Sequence, residues 1–259
     1  MTEKLRLGGM ALANGVLVHG PTAWACAIRT DDGEIQVAAR RKRTFAARVR
    51  SPLLRGPARL LEAMALVPQV KRALPAAKLP MQNGRVVAAI AGTSVVAKSI
   101  RDSGRLRPAA QELLVSFLSF APAVFALRGG ELAHYHGAEH IAIGRYESGG
   151  EATKEHERCG GHLIGPLLAT SAVGNVLAGL APARLRKPAH AAAQFGALAA
   201  TTELFGWMSR HPENPVAQGL SRPGHELQHR FSTAEPTPAQ LEVAEAALAA
   251  CLALEHGDD

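Results

Sequence analysis

The feature that most constrains this chain is a pair of long, nearly uncharged apolar runs in its second half. Leu163 to Ala181 holds 19 residues without a charge, and Ala189 to Met208 carries a single acidic residue, Glu203. A helix of about 20 residues, rising roughly 1.5 Å per residue, matches the hydrocarbon core of a bilayer. Both runs are rich in Ala and Gly, and Thr170, Ser171 and Asn175 soften the first. A third uncharged run, Leu113 to Leu127, contains Pro122, which should kink it. Mean hydropathy of +0.02 lies between a soluble enzyme and a polytopic membrane protein. Aromatic residues make up only 4% of the chain, so the core must be built from small side chains in close approach. The expectation is an Ala/Gly-rich helical bundle partly in the membrane, with a tightly packed soluble bundle as the alternative.

The fold class is mainly α, with a small N-terminal β unit. Residues 8–39 read as β structure. Val16-Leu-Val runs to a turn at Gly20-Pro21, and Trp24 to Arg29 is joined through Asp31-Asp32-Gly33 to Glu34-Ile-Gln-Val-Ala as a hairpin. Helical patterns then cover Leu53 to Ala73, interrupted at Pro68, followed by Val86 to Ile100 and Ala109 to Leu127. Thr237-Pro-Ala-Gln240 is a capping box with Pro at the first helical position, opening a final amphipathic helix. The organisation expected is 1–50 as β unit with a basic segment, 51–235 as helical bundle, and 236–259 as C-terminal helix.

The net charge of +7 is concentrated in Arg40-Arg41-Lys42-Arg43 and the arginines that follow at 48, 50, 55 and 59. Such a block suits anionic lipid on the cytoplasmic face and predicts a cytoplasmic N-terminus in the cell membrane. Only Phe45 is interleaved with it, so a nucleic-acid groove built on stacked bases is not expected. Homo-oligomerisation is left open. Three cysteines, Cys26, Cys159 and Cys251, are too few and of the wrong parity for a disulfide framework, which places the chain in a reducing compartment. The N-terminus shows no secretory signal pattern.

Chemistry concentrates between residues 134 and 162, where five of the eleven histidines lie: His134, His136, His140, His156 and His162. His136 and His140 are four residues apart and share one helix face. Glu139 borders that face. Two imidazoles one turn apart grip zinc, and an adjacent carboxylate can serve as general base. His136-x-x-Glu139-His140 has the form of the inverted zinc-peptidase motif. His156-x-x-Cys159 adds a second ligand-grade pair, and Glu147 lies between the two groups. Glu203 is a lone carboxylate in apolar surroundings, costly unless paired or metal-bound, and is a candidate third ligand; pairing with an arginine such as Arg210, or plain protonation, is the alternative. His225-Glu226-Leu-Gln-His229 fits the commoner His-Glu-x-x-His pattern but lacks apolar flanks, and ranks second.

These residues resemble a known family. Gly8-Gly-Met-Ala, Gly15-Val-Leu-Val-His-Gly-Pro21, Leu54-Arg-Gly-Pro-Ala-Arg-Leu-Leu-Glu62, Tyr135-His-Gly-Ala-Glu-His140, Tyr146-Glu147, His156-x-Arg158-Cys159-Gly160 and Glu235-Pro-Thr-Pro-Ala-Gln-Leu-Glu-Val-Ala244 are similar to blocks of the YqhQ-like family, domain of unknown function 1385. The resemblance runs in order along nearly the whole chain. It implies a metal-dependent protein integral to the membrane, with His136, Glu139, His140, Glu147, His156, Cys159 and Glu203 on its polar motif positions. It supplies no reaction. Three departures are visible: Asn14 where an acidic residue is usual, Gly161 where Thr usually follows the Cys-Gly pair, and unusually Ala-rich helices.

The reading that follows is a membrane-associated zinc hydrolase. His136, His140 and a third ligand, Glu203 or His156, would hold the metal, with Glu147 and Cys159 as further candidates and Glu139 as base. Two other readings use the same residues. One is a non-haem di-iron oxidase or hydroxylase in a helical bundle, built from the His136/His140 and His225/His229 pairs with His134, His156 and His162. The other is a non-catalytic scaffold in which metal staples loops together.

Overall fold

The computed structural model describes residues 4–80, 84–119, 121–122 and 130–257. Four strands, β1 (Gly8–Leu12), β2 (Gly15–His19), β3 (Ala23–Arg29) and β4 (Ile35–Arg41), form an antiparallel meander in chain order. The expected hairpin is the β3–β4 half of this sheet. The β1–β2 half turns at Ala13-Asn14, directly before Gly15. Asn14 shows why an amide stands there. Its Nδ2 donates to the carbonyls of Arg29 and Ala76, at 3.1 Å each, while its Oδ1 accepts from the Lys78 amide at 2.8 Å. A carboxylate could make only the last of these bonds.

Strand alternation sends Val16, Val18, Ala25 and Ala27 to one face and Leu17, Trp24, Cys26 and Ile28 to the other. Both faces are apolar and both are covered, as a sheet inside a layered fold requires. The second face packs on α2 (Leu66–Ala73) through Leu66 and Val70. The first packs on α5 (Glu131–Ser148) and on α9 (Pro238–His256), where Ala244 and Ala247 meet the alanines of β3. The C-terminal helix is thus a layer over the N-terminal sheet rather than a separate appendage. Its capping box forms as expected: the Gln240 amide donates to Thr237 Oγ1 and the Thr237 amide to Gln240 Oε1.

The remaining helices pack on one another. They are α1 (Pro52–Met64), α3 (Gly84–Ser103), α4 (Pro108–Ser119), α6 (Ile164–Gly179), α7 (Arg186–Met208) and α8 (Pro215–Leu227). α6 lies along α7, α1 crosses α7, and α4 touches both α3 and α6. The break between α1 and α2 falls at Ala65, not at Pro68. Pro68 sits in the first turn of α2, where a missing N–H leaves no bond unmade. The expected helix Ala109 to Leu127 is observed as α4 together with helical residues 121–122; its positions 120 and 123–127 lie outside the described residues. Gly160–Gly179, a 3₁₀ turn running into α6, is one helical stretch long and apolar enough to cross a membrane, and only a third of it is buried within the protein. Among the described residues α7 does not reach that threshold. All three cysteines are free.

Candidate metal centre

α5 carries the motif. Tyr135, Ala138 and Ala142 face the sheet, which turns His136, Glu139 and His140 toward β1 and a cavity of about 880 Å³. Gly137 allows the motif to be clasped from behind: a Cβ there would lie 2.1 Å from the Ala234 carbonyl oxygen. That close approach brings in the stretch after α8, where the chain makes a π-helical turn, Gln228–Ser232. Such turns are often found at functional sites. Here the turn ends with the Ser232 carbonyl aimed at His136.

The two imidazoles are held alike. His136 Nδ1 bonds the Ser232 carbonyl at 2.8 Å, and His140 Nδ1 bonds the Lys154 carbonyl at 2.6 Å. A carbonyl only accepts, so both Nδ1 atoms carry the proton and both Nε2 atoms present bare lone pairs. This is the usual way an orienting backbone partner prepares histidine for a metal. Their rings lie 4.4 Å apart. Cys159 Sγ is 3.5 Å from His136 Nε2. With Zn–N near 2.0 Å and Zn–S near 2.3 Å, a tetrahedral centre places such a pair about 3.5 Å apart. Donor atoms of His136, His140 and Cys159 all lie within 4.8 Å of one another, the single group of this kind among the described residues.

Burial sets the charge state of the site. It pushes the His140 ring down to about 2, with His136 adding to the effect, and lowers His136 as well. Both are therefore neutral, the form that ligates. Burial also pushes the Cys159 thiol up to about 12 and the Glu139 carboxyl up to about 8. Glu139 is 6% exposed, and no hydrogen-bond partner for its carboxyl is present among the described residues. A buried carboxyl without a partner is costly, and a cation beside it would relieve that cost while ionising both acid groups. Two imidazoles, a thiol and an unpartnered carboxyl thus fit a borderline-soft divalent ion. Gly9 of β1 makes room for the carboxyl: a Cβ there would lie 2.3 Å from Glu139 Oε1.

The other expected ligands have other partners. His156 lines the same cavity but spends both ring nitrogens: Nε2 bonds Glu147 at 3.0 Å and Nδ1 accepts from the Arg158 amide at 3.2 Å. Glu147 is held between His156 and the Arg158 guanidinium. These two residues therefore brace the loop that delivers Cys159 rather than offering free donors. Glu203 on α7 is bound by the Arg55 guanidinium through both oxygens, so the carboxylate in apolar surroundings is answered by an arginine from α1. His225 and His229 sit 57% and 62% exposed against Glu155, and Glu226 pairs with Arg230. His162 is enclosed by the Ser221 carbonyl and the Gln228 amide. Sequence reasoning missed Gly9, Gln228 and the two orienting carbonyls. The Gly8-Gly9 pair within a strand was the one visible signal of close approach.

The family described as proteins of unknown function, DUF1385, matches residues 113–254, just over half of the chain and all of the donor group. No curated protein and no solved structure matches the chain.

Proposed function

The chain belongs to the DUF1385 family, and from that premise and the donor geometry we propose that it is a zinc-dependent hydrolase with His136, His140 and Cys159 as protein ligands and Glu139 as general base. The observation that carries the reading is the pinning of both histidines at Nδ1, which leaves two Nε2 lone pairs converging with one thiol. Three protein donors leave one position of a tetrahedral ion open, as hydrolytic sites do. When bound, zinc supplies a Lewis acid that polarises a carbonyl and lowers the pKa of water toward about 7. Glu139 takes the proton released as water attacks and returns it to the leaving group. Among the described residues no fourth His, Cys, Asp or Glu joins the group, which favours this reading over a closed structural staple. One thiol and one neighbouring carboxyl also fit poorly with a di-iron centre, which draws on several carboxylates.

The same reading seats the protein in the cell membrane with its arginine-rich N-terminal part on the cytoplasmic side. Support comes from Gly160–Gly179 and from Arg40, Arg41 and Arg43 gathered with Arg72 beside α2, a cluster suited to anionic headgroups.

Metal analysis of the full-length protein purified in detergent tests the centre. About one zinc per chain is expected in the wild type and less than a tenth of that in His136→Ala/His140→Ala, with hydrolysis falling by at least about a thousandfold. Zinc retained by the double variant would overturn the assignment. Complete release of the protein from membranes by alkaline carbonate would overturn the seating.

A further inference from the structure

The cavity above the donor group is longer than the group needs. Beyond Glu139 its wall is formed by Met10 of β1, Val86 and Ile90 of α3, Val115 of α4, and Leu132 and Ile143 of α5. The two hydroxyls on this wall are already spent within their own helix: Thr93 Oγ1 donates to the Ala89 carbonyl at 2.9 Å, and Ser94 Oγ to the Ile90 carbonyl at 2.8 Å. This arm, which Ala97 and Arg101 of α3 also line, is therefore largely apolar with one guanidinium at its wall, whereas the lining around Glu139 is polar. At about 880 Å³ the cavity lies toward the large end of the usual range for ligand sites, which reaches about 1,000 Å³. The outer faces of the same two helices are also apolar: Val87, Val95 and Val96 on α3 and Leu114 and Phe117 on α4 are 47–72% exposed. The cavity is thus separated from an apolar exterior by single helices.

We infer that the substrate is an amphiphilic acyl ester, its carbonyl at the donor group and its alkyl chain along Met10, Ile90, Val115 and Ile143. The inference rests on the hydrolase reading. In the reaction a water oxygen bonds to the acyl carbon and the bond from that carbon to the ester oxygen breaks. The proton taken up by Glu139 passes to the departing alkoxide, which gives a fatty acid and an alcohol with no oxidant or reductant consumed.

The test uses zinc-loaded, full-length protein in lipid nanodiscs with p-nitrophenyl acetate and p-nitrophenyl octanoate, and dansyl-undecanoic acid as a non-reacting chain probe. Octanoate should exceed acetate in kcat/KM by at least about tenfold, since each buried methylene adds to binding. Ile90→Trp and Val115→Trp, which plug the arm from different helices, should lower that ratio at least fivefold and weaken dansyl-undecanoic acid binding while retaining zinc. His140→Ala should still bind the probe. Turnover of both esters with no chain-length preference and unaltered probe binding in both plugged variants would overturn the inference. Probe binding that the plugs abolish, without turnover of any ester, would overturn the hydrolase reading and leave the acyl-chain site standing.

Discussion

The sheet with its covering helices and the helices α3, α4, α6 and α7 use apolar sequence in opposite ways. In the sheet, Leu12, Leu17, Trp24 and Ile28 are all at most 2% exposed. In the helices, Phe117, Val95 and Leu177 are 62–72% exposed, and Leu180 just past α6 is 79% exposed. Small side chains let α9 sit close on β3, so the first region makes its own apolar interior. The second leaves much of its apolar surface turned outward. Apolar content alone therefore does not decide burial. Strand alternation with both faces covered does so in one region, and in the other no covering layer is present among the described residues. The candidate centre lies on the seam. His136, Glu139 and His140 belong to the sheet's own helix, and Cys159 leads into the outward-facing one.

Trp24→Ala should show the largest effect, a loss of about 3–5 kcal/mol, because the indole is wholly enclosed by one face of the sheet and α2. Denaturant unfolding followed by far-UV circular dichroism would measure it; a loss below about 1 kcal/mol would mean the first region is not the rigid one.

Acid should loosen the same region through His19 at the end of β2. Burial chiefly, with Lys42 assisting and Glu62 and Glu255 opposing, lowers this ring to about 4. The unfolded ring, at about 6.5, takes up its proton first. Stability is then complete above pH 6.5 and falls as pH drops toward 4, by up to about 3 kcal/mol in total. His19→Gln should flatten that slope; an unchanged slope would assign the acid sensitivity elsewhere.

Gly9→Ala sharpens the account of the seam. The added Cβ must displace the Glu139 carboxyl, so catalytic efficiency should fall about tenfold, or roughly 1.4 kcal/mol, while zinc content stays at the wild-type value. Loss of zinc instead would show that Glu139 is a ligand and not a base.

The smallest effect is expected for Leu177→Ala on the outer face of α6. In nanodiscs it should change stability by less than about 0.5 kcal/mol, the usual range for exposed positions. A cost matching that of Trp24→Ala would erase the contrast between the two regions.

Much of this was legible in the sequence where the cause is local. The capping box at Thr237 needs four residues, and the His136–His140 pairing needs one helical turn. The β character of residues 8–39 and the β3–β4 hairpin were legible from the alternating runs and the Asp31-Asp32-Gly33 turn, but the pairing of β1 with β2 was not, because β1 is a five-residue Gly- and Ala-containing strand with no β-branched residue. Glu203 was rightly seen as needing a partner, but Arg55 lies 148 residues away and no local pattern points to it. His156 has ligand chemistry by type; only the fold shows that Glu147 and the Arg158 amide already occupy both nitrogens. Likewise, the Ser232 and Lys154 carbonyls that prepare the two histidines are backbone atoms, and a side-chain alphabet does not record them.

Cys159 is the residue immediately before the apolar stretch Gly160–Gly179, and the Gly161 amide donates to its sulfur at 3.4 Å. With the proposed ion in place, a helix about 30 Å long would be moored at one end to a fixed point in the sheet body. It could tilt about that mooring but could not slide along its own axis without drawing the sulfur out of register. Were that stretch seated in a bilayer as proposed, the depth at which it lies would be gauged from the metal.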